Sequence, residues 1–132
     1  MATDQQRRIT RIRSPKVPEP ANGRFSNCLM VDGVAYIAGM TSREGSDIYA
    51  QSKIVFEKIR QLVESAGGTM ADVVKINVYV TDINQRDGFW KARQECFSGD
   101  FPTATVVQVV ALADPAYQIE IEAVAHIGAG GR

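Results

Sequence analysis

The sequence predicts an α+β domain, with helices laid on one face of a single sheet. Three observations predict it. Asp32-Gly33 stands between the apolar runs Leu29-Met30-Val31 and Val34-Ala35-Tyr36-Ile37, the signature of a tight β-hairpin. Between Asp47 and Ala66, Ile48, Val55, Ile59, Leu62, Val63 and Ala66 recur at three- and four-residue steps, as one face of a helix does. Val74, Ile76, Val78 and Val80 alternate with Lys75, Asn77, Tyr79 and Thr81, the pattern of a half-buried strand.

The elements follow in order. Residues 1–8 are polar and read as a loose terminus. Ile9 to Ile12 suits a short strand, and Pro15, Pro18 and Pro20 keep the next loop from becoming helical. Gly39 directly follows the second hairpin strand, where a backbone without a side chain allows close approach of a ligand. Ser46 or Asp47 caps the first helix, and Gly67-Gly68 stops it. Thr69-Met70-Ala71-Asp72 reads as a capping box on a single turn. A second helix is expected from about Gln85 to Phe97, burying Phe89, Trp90, the stem of Arg93, Cys96 and Phe97. A Val- and Thr-rich strand spans residues 103–110, and Ile119, Ile121, Ala123 and Ala125 mark a last strand of period two. The tail GAGGR reads as flexible. The 132 residues are thus expected to form one domain, with loose ends at 1–8 and 128–132.

Composition narrows the function classes. The chain is 45% hydrophobic and 23% charged, values of an ordinary globular domain. Fifteen Lys and Arg balance fifteen Asp and Glu, so bulk attraction to nucleic acid or to an anionic membrane is not expected. The longest apolar stretch, residues 105–113, is far too short to span a bilayer. No apolar block follows the basic N-terminus, so it does not read as a secretory signal. Cys28 and Cys96 lack metal-type spacing and read as reduced thiols of a cytoplasmic protein.

Few residues suggest chemistry. No metal-ligand cluster stands out, and His126 alone reads as a partly exposed edge histidine. Glu120 and Glu122 point to one face of the last strand, roughly 7 Å apart. In isolation they read as a solvated strand face. In a cleft, one of them can orient a water and take its proton if burial raises its pKa.

Together these residues resemble the RidA/YjgF family, also labelled L-PSP endoribonucleases. The resemblance runs from about Arg11 to Ile127. It is carried by Gly23-Arg24-Phe25-Ser26, the strand with Gly39, AGGTMADVVKINVYVTDI at 66–83, Phe101-Pro102, and IEIEAVA at 119–125. It implies a chorismate-mutase-like fold, a mixed sheet with two helices on one face, assembled as a homotrimer with clefts between subunits. It also implies hydrolysis of small imines and enamines such as 2-aminoacrylate, without metal or organic cofactor. Glu120 matches the water-orienting glutamate, and Gly39 the glycine of a Ser-Gly pair. The chain departs from the pattern at four positions. Ala104 stands where the family grips the substrate carboxylate with arginine, in Pro102-Thr103-Ala104-Thr105. Phe25 replaces a tyrosine, Ala38 a serine and Trp90 an asparagine. Arg24, beside Phe25, and Arg43 are the candidate replacement cations.

The expected function is therefore a RidA-like protein that binds and deaminates a small imine, enamine or related C–N metabolite. Glu120 orients water, Arg24, Phe25, Trp90 and Ala104 border the substrate, and backbone near Gly39 and Thr105 fixes it. The alternative is a non-catalytic regulatory trimer that senses a hydrophobic ligand. RNA cleavage ranks third, since only Arg7, Arg8, Arg11, Arg13 and Lys16 form a basic arm and no aromatic platform accompanies it.

Overall fold

A computed structural model of the chain describes residues 7–131. The strands are β1 (Ile9–Ile12), β2 (Cys28–Val31), β3 (Val34–Met40), β4 (Val73–Val80), β5 (Thr103–Gln108) and β6 (Ile119–His126). The helices are α1 (Ile48–Ser65) and α2 (Arg86–Cys96). One mixed six-stranded sheet forms in the order β1-β2-β3-β6-β4-β5. Only β4 and β5 run parallel, and α2 supplies the crossover that a parallel pair requires.

Local chemistry accounts for these boundaries. Asp32 and Gly33 have φ of 49° and 81°, the two positive values that a two-residue hairpin turn of this hand needs. Of the two candidate caps, Asp47 is used, and its Oδ1 accepts from the Ala50 N–H at 2.8 Å. At the other end Gly67 takes φ 94°, while Gly67 N–H donates to Glu64 and Gly68 N–H to Val63, so α1 closes as a Schellman motif. The Thr69–Asp72 capping box forms as expected.

Both helices cover one face of the sheet. Val55, Ile59, Leu62 and Val63 of α1 are fully buried, as are Ile76, Val78 and Val80 of β4 and Ile119 and Ile121 of β6. Phe56 joins them, its ring edge-on to Phe97 at 5.3 Å and tilted to Phe89 at 6.0 Å. Gln51 is buried yet satisfied. Its Nε2 donates to Ala116 O, and its Oε1 accepts from Gln118 N–H, so α1 holds the β5–β6 loop.

Several expectations are corrected. The β4 alternation breaks at its start, because a register shift against β6 between Val73 and Lys75 buries Val73 and exposes Val74. Strand β5 ends at Gln108 rather than 110. On α2, Phe89 and Ala92 are buried, whereas Trp90, Arg93, Cys96 and Phe97 are only partly covered. His126 is exposed but ends a central strand, not an edge. The tail expected to be loose is tethered through residue 130: Gly128 and Gly130 N–H groups donate to the buried Asp72 carboxylate at 3.0 and 2.8 Å. At the other end, Arg8 pairs with Asp32, while residues 1–6 and 132 lie outside the described residues. Cys28 and Cys96 are unpaired, and burial together with Glu19 pushes the Cys28 thiol up to about 11. Among the described residues, no helix is long and apolar enough to cross a membrane.

Candidate active site

The face of the sheet away from the helices carries the polar side chains. Period-two alternation that buries Ile76, Val78, Ile119 and Ile121 sends Lys75, Asn77, Tyr79, Glu120 and Glu122 to the other side. The antiparallel register then sets Asn77 opposite Glu122 and Tyr79 opposite Glu120. Glu122 is held on one oxygen, Oε1, which accepts from Asn77 Nδ2 at 3.0 Å and from the Tyr79 hydroxyl at 2.7 Å. That hydrogen bond, with burial and the charges of both glutamates, raises the Tyr79 pKa and keeps the phenol a donor.

Glu120 differs from its neighbour. No described side chain or backbone group donates to its carboxylate. Burial raises its pKa, and the charge of Glu122 adds to the shift. Its position depends on a bulge in β3. Ile37 pairs with Ala123 and Met40 with Ile121, so β3 spends one extra residue there. The bulge brings Gly39 under Glu120, where an added Cβ would lie 2.6 Å from Oε2. The glycine expected to admit a ligand thus admits the carboxylate first.

Beside this pair a cavity of about 420 Å³ opens on the same face, lined by Ser26, Leu29, Tyr36, Ala38, Lys75, Asn77, Glu122 and Val124. Lys75, Asn77, Tyr79 and Tyr36 were missed as site residues by the sequence reading. The signal for Lys75, Asn77 and Tyr79 was the polar half of the β4 alternation, which places them with Glu120 and Glu122, whereas Tyr36 lies on β3 opposite Val124.

The expected site residues do not all meet within one chain. Thr105 registers with Asn77 and shares the open face, whereas Ala104 registers with the buried Ile76 and faces the helix side. Trp90 lies on α2, also on the helix side, its ring 4.8 Å from that of Phe89. The sheet therefore separates Ala104 and Trp90 from Glu120 and Gly39. Phe25 is 53% exposed, and its carbonyl accepts from Arg11. Arg24 is exposed. Arg43 is engaged by Asp114 at 2.7 Å, so its charge is already countered. Among the described residues, no group of three His, Cys, Asp or Glu side chains is placed to hold a metal.

A family profile described as Endoribonuclease L-PSP matches residues 16–127, most of the chain. A solved RidA from an Antarctic Psychrobacter superposes with a TM-score of 0.82 at 31% identity, covering 89% of this chain and 99% of that one. The chain belongs to the RidA/YjgF family. Other solved structures bear out the α+β RidA/YjgF fold. A Pseudomonas aeruginosa protein of unknown function gives a TM-score of 0.85 at 35% identity over 90% of this chain and 92% of its own. A Mycobacterium tuberculosis member of the YjgF/YER057c/UK114 family gives 0.79 at 28% identity over 90% and 99%. Within this RidA/YjgF fold, the Glu120 carboxylate accepts no hydrogen bond from the described residues and lies over Gly39, on a face that no helix covers.

Proposed function

We propose that this chain, acting as one domain over residues 1–132 in the cytoplasm, hydrolyses small imines or enamines to a carbonyl compound and ammonia. The observation that carries the reading is Glu120, a half-buried carboxylate with a raised pKa and no described donor, seated over Gly39. Such a group is free to accept a hydrogen bond from water and to take its proton. Water adds through oxygen to the C=N carbon, and the proton passes to Glu120. Glu120 returns that proton to nitrogen to give a carbinolamine, then takes the carbinolamine hydroxyl proton and delivers it to the amine as the C–N bond breaks, so the carbonyl forms and ammonia leaves. Glu122, fixed by Asn77 and Tyr79, keeps a second negative charge beside Glu120 and so favours its protonated form.

The reading includes a homotrimer. The sheet puts Ala104 and Trp90 on the side opposite Glu120, so a cleft using both sets draws them from different copies. Arg24, Phe25, Gly39 and Thr105 are assigned to that cleft by the family resemblance. The test is ammonia release from freshly generated imines, with and without a carboxylate. The Glu120→Gln protein is expected to lose roughly a hundredfold or more in rate while keeping ligand affinity. No release by the parent protein from any imine in the panel would overturn the reading.

A second reading, a non-catalytic ligand-sensing trimer, is favoured by Ala104, which offers no charge, and by the engagement of Arg43 with Asp114. It expects saturable binding with no turnover in parent or variant. RNA cleavage is disfavoured by the basic arm itself, since Arg8 pairs with Asp32 and both Arg11 and Arg13 with Glu19.

A further inference from the structure

Residues 13–27 join β1 to β2 and bring Ser26 into the wall of the cavity beside Glu122. Pro15, Pro18 and Pro20 keep most of this stretch out of regular structure, so side chains must hold it in place. Asn27, 5% exposed, donates from Nδ2 to the Pro18 carbonyl at 3.0 Å, and its own carbonyl accepts from Ala38 N–H at 2.9 Å. Arg11 supplies a second tie. Its Nη2 donates both to Glu19 Oε2 and to the Phe25 carbonyl, each at 3.2 Å. The residues on either side of Ser26 are thus fixed, one to β3 and the other to β1.

Register places Arg11 on the side that such a tie needs. Ile12 joins the core, so Arg11 turns to the open face, where it pairs with Leu29. The same row continues through Tyr36, Val124 and Lys75, and Leu29 and these three all line the cavity. Arg11 closes the row at the β1 edge of the sheet. Stability alone does not account for an arginine there. Its pair with Glu19 is partly exposed, and exposed pairs add little, while its Nε is buried without a partner, which costs. What the side chain does deliver is a fixed carbonyl at Phe25, next to the cavity wall.

We propose that Arg11 is a positioning residue, which through the Phe25 carbonyl fixes the Phe25–Ser26 edge of the cavity where the ligand is seated. Joined to the hydrolytic function proposed above, on which this part rests, the inference makes Arg11 a determinant of how tightly an imine or enamine is held. Arg11 does not reach the reacting atoms. Glu120 stands on β6 over the Gly39 bulge, and neither hydrogen bond of Arg11 bears on that pair. Substitution of Arg11 is therefore expected to change KM and to leave kcat nearly untouched.

The experiment uses the full-length protein, Arg11→Met, Arg11→Lys and Glu19→Gln, with two readouts. The first is ammonia release from the freshly generated imines of pyruvate and of acetone. Arg11→Met should raise KM roughly tenfold with kcat within twofold of the parent, and Arg11→Lys, which keeps the charge but reaches fewer acceptors, should fall between. Glu19→Gln breaks the ion pair and leaves the bond to the Phe25 carbonyl, so its KM should stay within twofold. The second readout is trypsin cleavage after the exposed Arg24, with cleavage after Arg60, inside α1, as the measure of global opening. Arg11→Met should be cut after Arg24 roughly tenfold faster and after Arg60 at the parent rate. Circular dichroism establishes that each variant folds, and Arg11→Lys serves if Arg11→Met does not. Unchanged KM in a folded Arg11 variant, or a fall in kcat as large as the rise in KM, overturns the proposal. So do equal rises in KM for Glu19→Gln and Arg11→Met, which would assign the effect to the ion pair. No ammonia release by the parent from any imine would overturn the hydrolytic reading instead, and cleavage after Arg24 would then decide alone whether Arg11 holds the cavity edge.

Discussion

Strands β4 and β6 carry two regions of opposite character within one backbone step of each other. Ile76, Val78, Ile119 and Ile121 face the helices and are fully buried, while Asn77, Tyr79, Glu120 and Glu122 face away and remain partly open. A strand advances about 3.3 Å per residue and reverses its side chains at each step, so the two faces share one scaffold. On the covered face, packing alone decides stability. On the open face the same backbone holds charge and hydrogen bonds at fixed spacing. Stability and chemistry are thus expected to respond separately to substitution, and the predictions below press on that separation.

The largest expected effect lies on the covered side. Phe56→Ala removes a ring that is 1% exposed and packs on Phe89 and Phe97, and should cost about 3–5 kcal/mol in urea unfolding. Ammonia release per folded molecule should stay near the parent rate. A large drop in that rate at full folding would show that the two faces are coupled through the sheet.

The covered face was the legible one. Regular periods in α1, β4 and β6 named Val55, Ile59, Leu62, Ile76 and Ile121, because burial leaves only apolar side chains at those steps. The sequence analysis missed Phe56 and Gln51, which widen the buried stripe of α1, and the bulge that exchanges Val73 for Val74. It also read the GAGGR tail as free. Residue Asp72, already identified as a capping residue, turns out to hold that tail with the same carboxylate. Glu120, Glu122 and Gly39 were picked out, but not the contact between Glu120 and Gly39, which depends on a bulge that no local pattern announces. Arg93 was read only as a buried stem, whereas its guanidinium carbon lies 4.2 Å from the ring centroid of Phe101, a contact that joins α2 to a residue eight positions on, outside the helix.

A substitution at that bulge tests the open face without touching the core. Gly39→Ala places a methyl group 2.6 Å from Glu120 Oε2, and the flexible end of the glutamate can swing aside. The expected result is a melting temperature within a few degrees of the parent. Misplacing the carboxylate by about an ångström should lower ammonia release roughly a hundredfold. Equal rates in the two proteins would mean that Glu120 need not sit there. A smaller effect is expected at Tyr79→Phe, which deletes the hydroxyl bonded to Glu122 and should cost about 1 kcal/mol in stability.

The smallest effect concerns Glu120 itself, and its sign separates the two faces most sharply. Burial, then the charge of Glu122, raises the folded pKa of Glu120 above its unfolded value. Between those two values the folded state binds more protons than the unfolded one. Stability therefore falls as pH rises through that window, and at neutral pH the ionised Glu120 opposes folding. Glu120→Gln removes this opposition and should stabilise the protein at pH 7 by less than about 1 kcal/mol, since the site is only half buried. The gain should vanish below the unfolded carboxylate range of roughly pH 4, where both proteins are neutral at this position. Because Glu122 contributes part of the shift, the gain should be smaller in a Glu122→Gln background. Chemical unfolding of the four proteins at pH 3.5 and pH 7 measures all of this. A loss of stability at pH 7 on Glu120→Gln would show that Glu120 supports the fold, and would remove the ground for treating the open face as the chemical one.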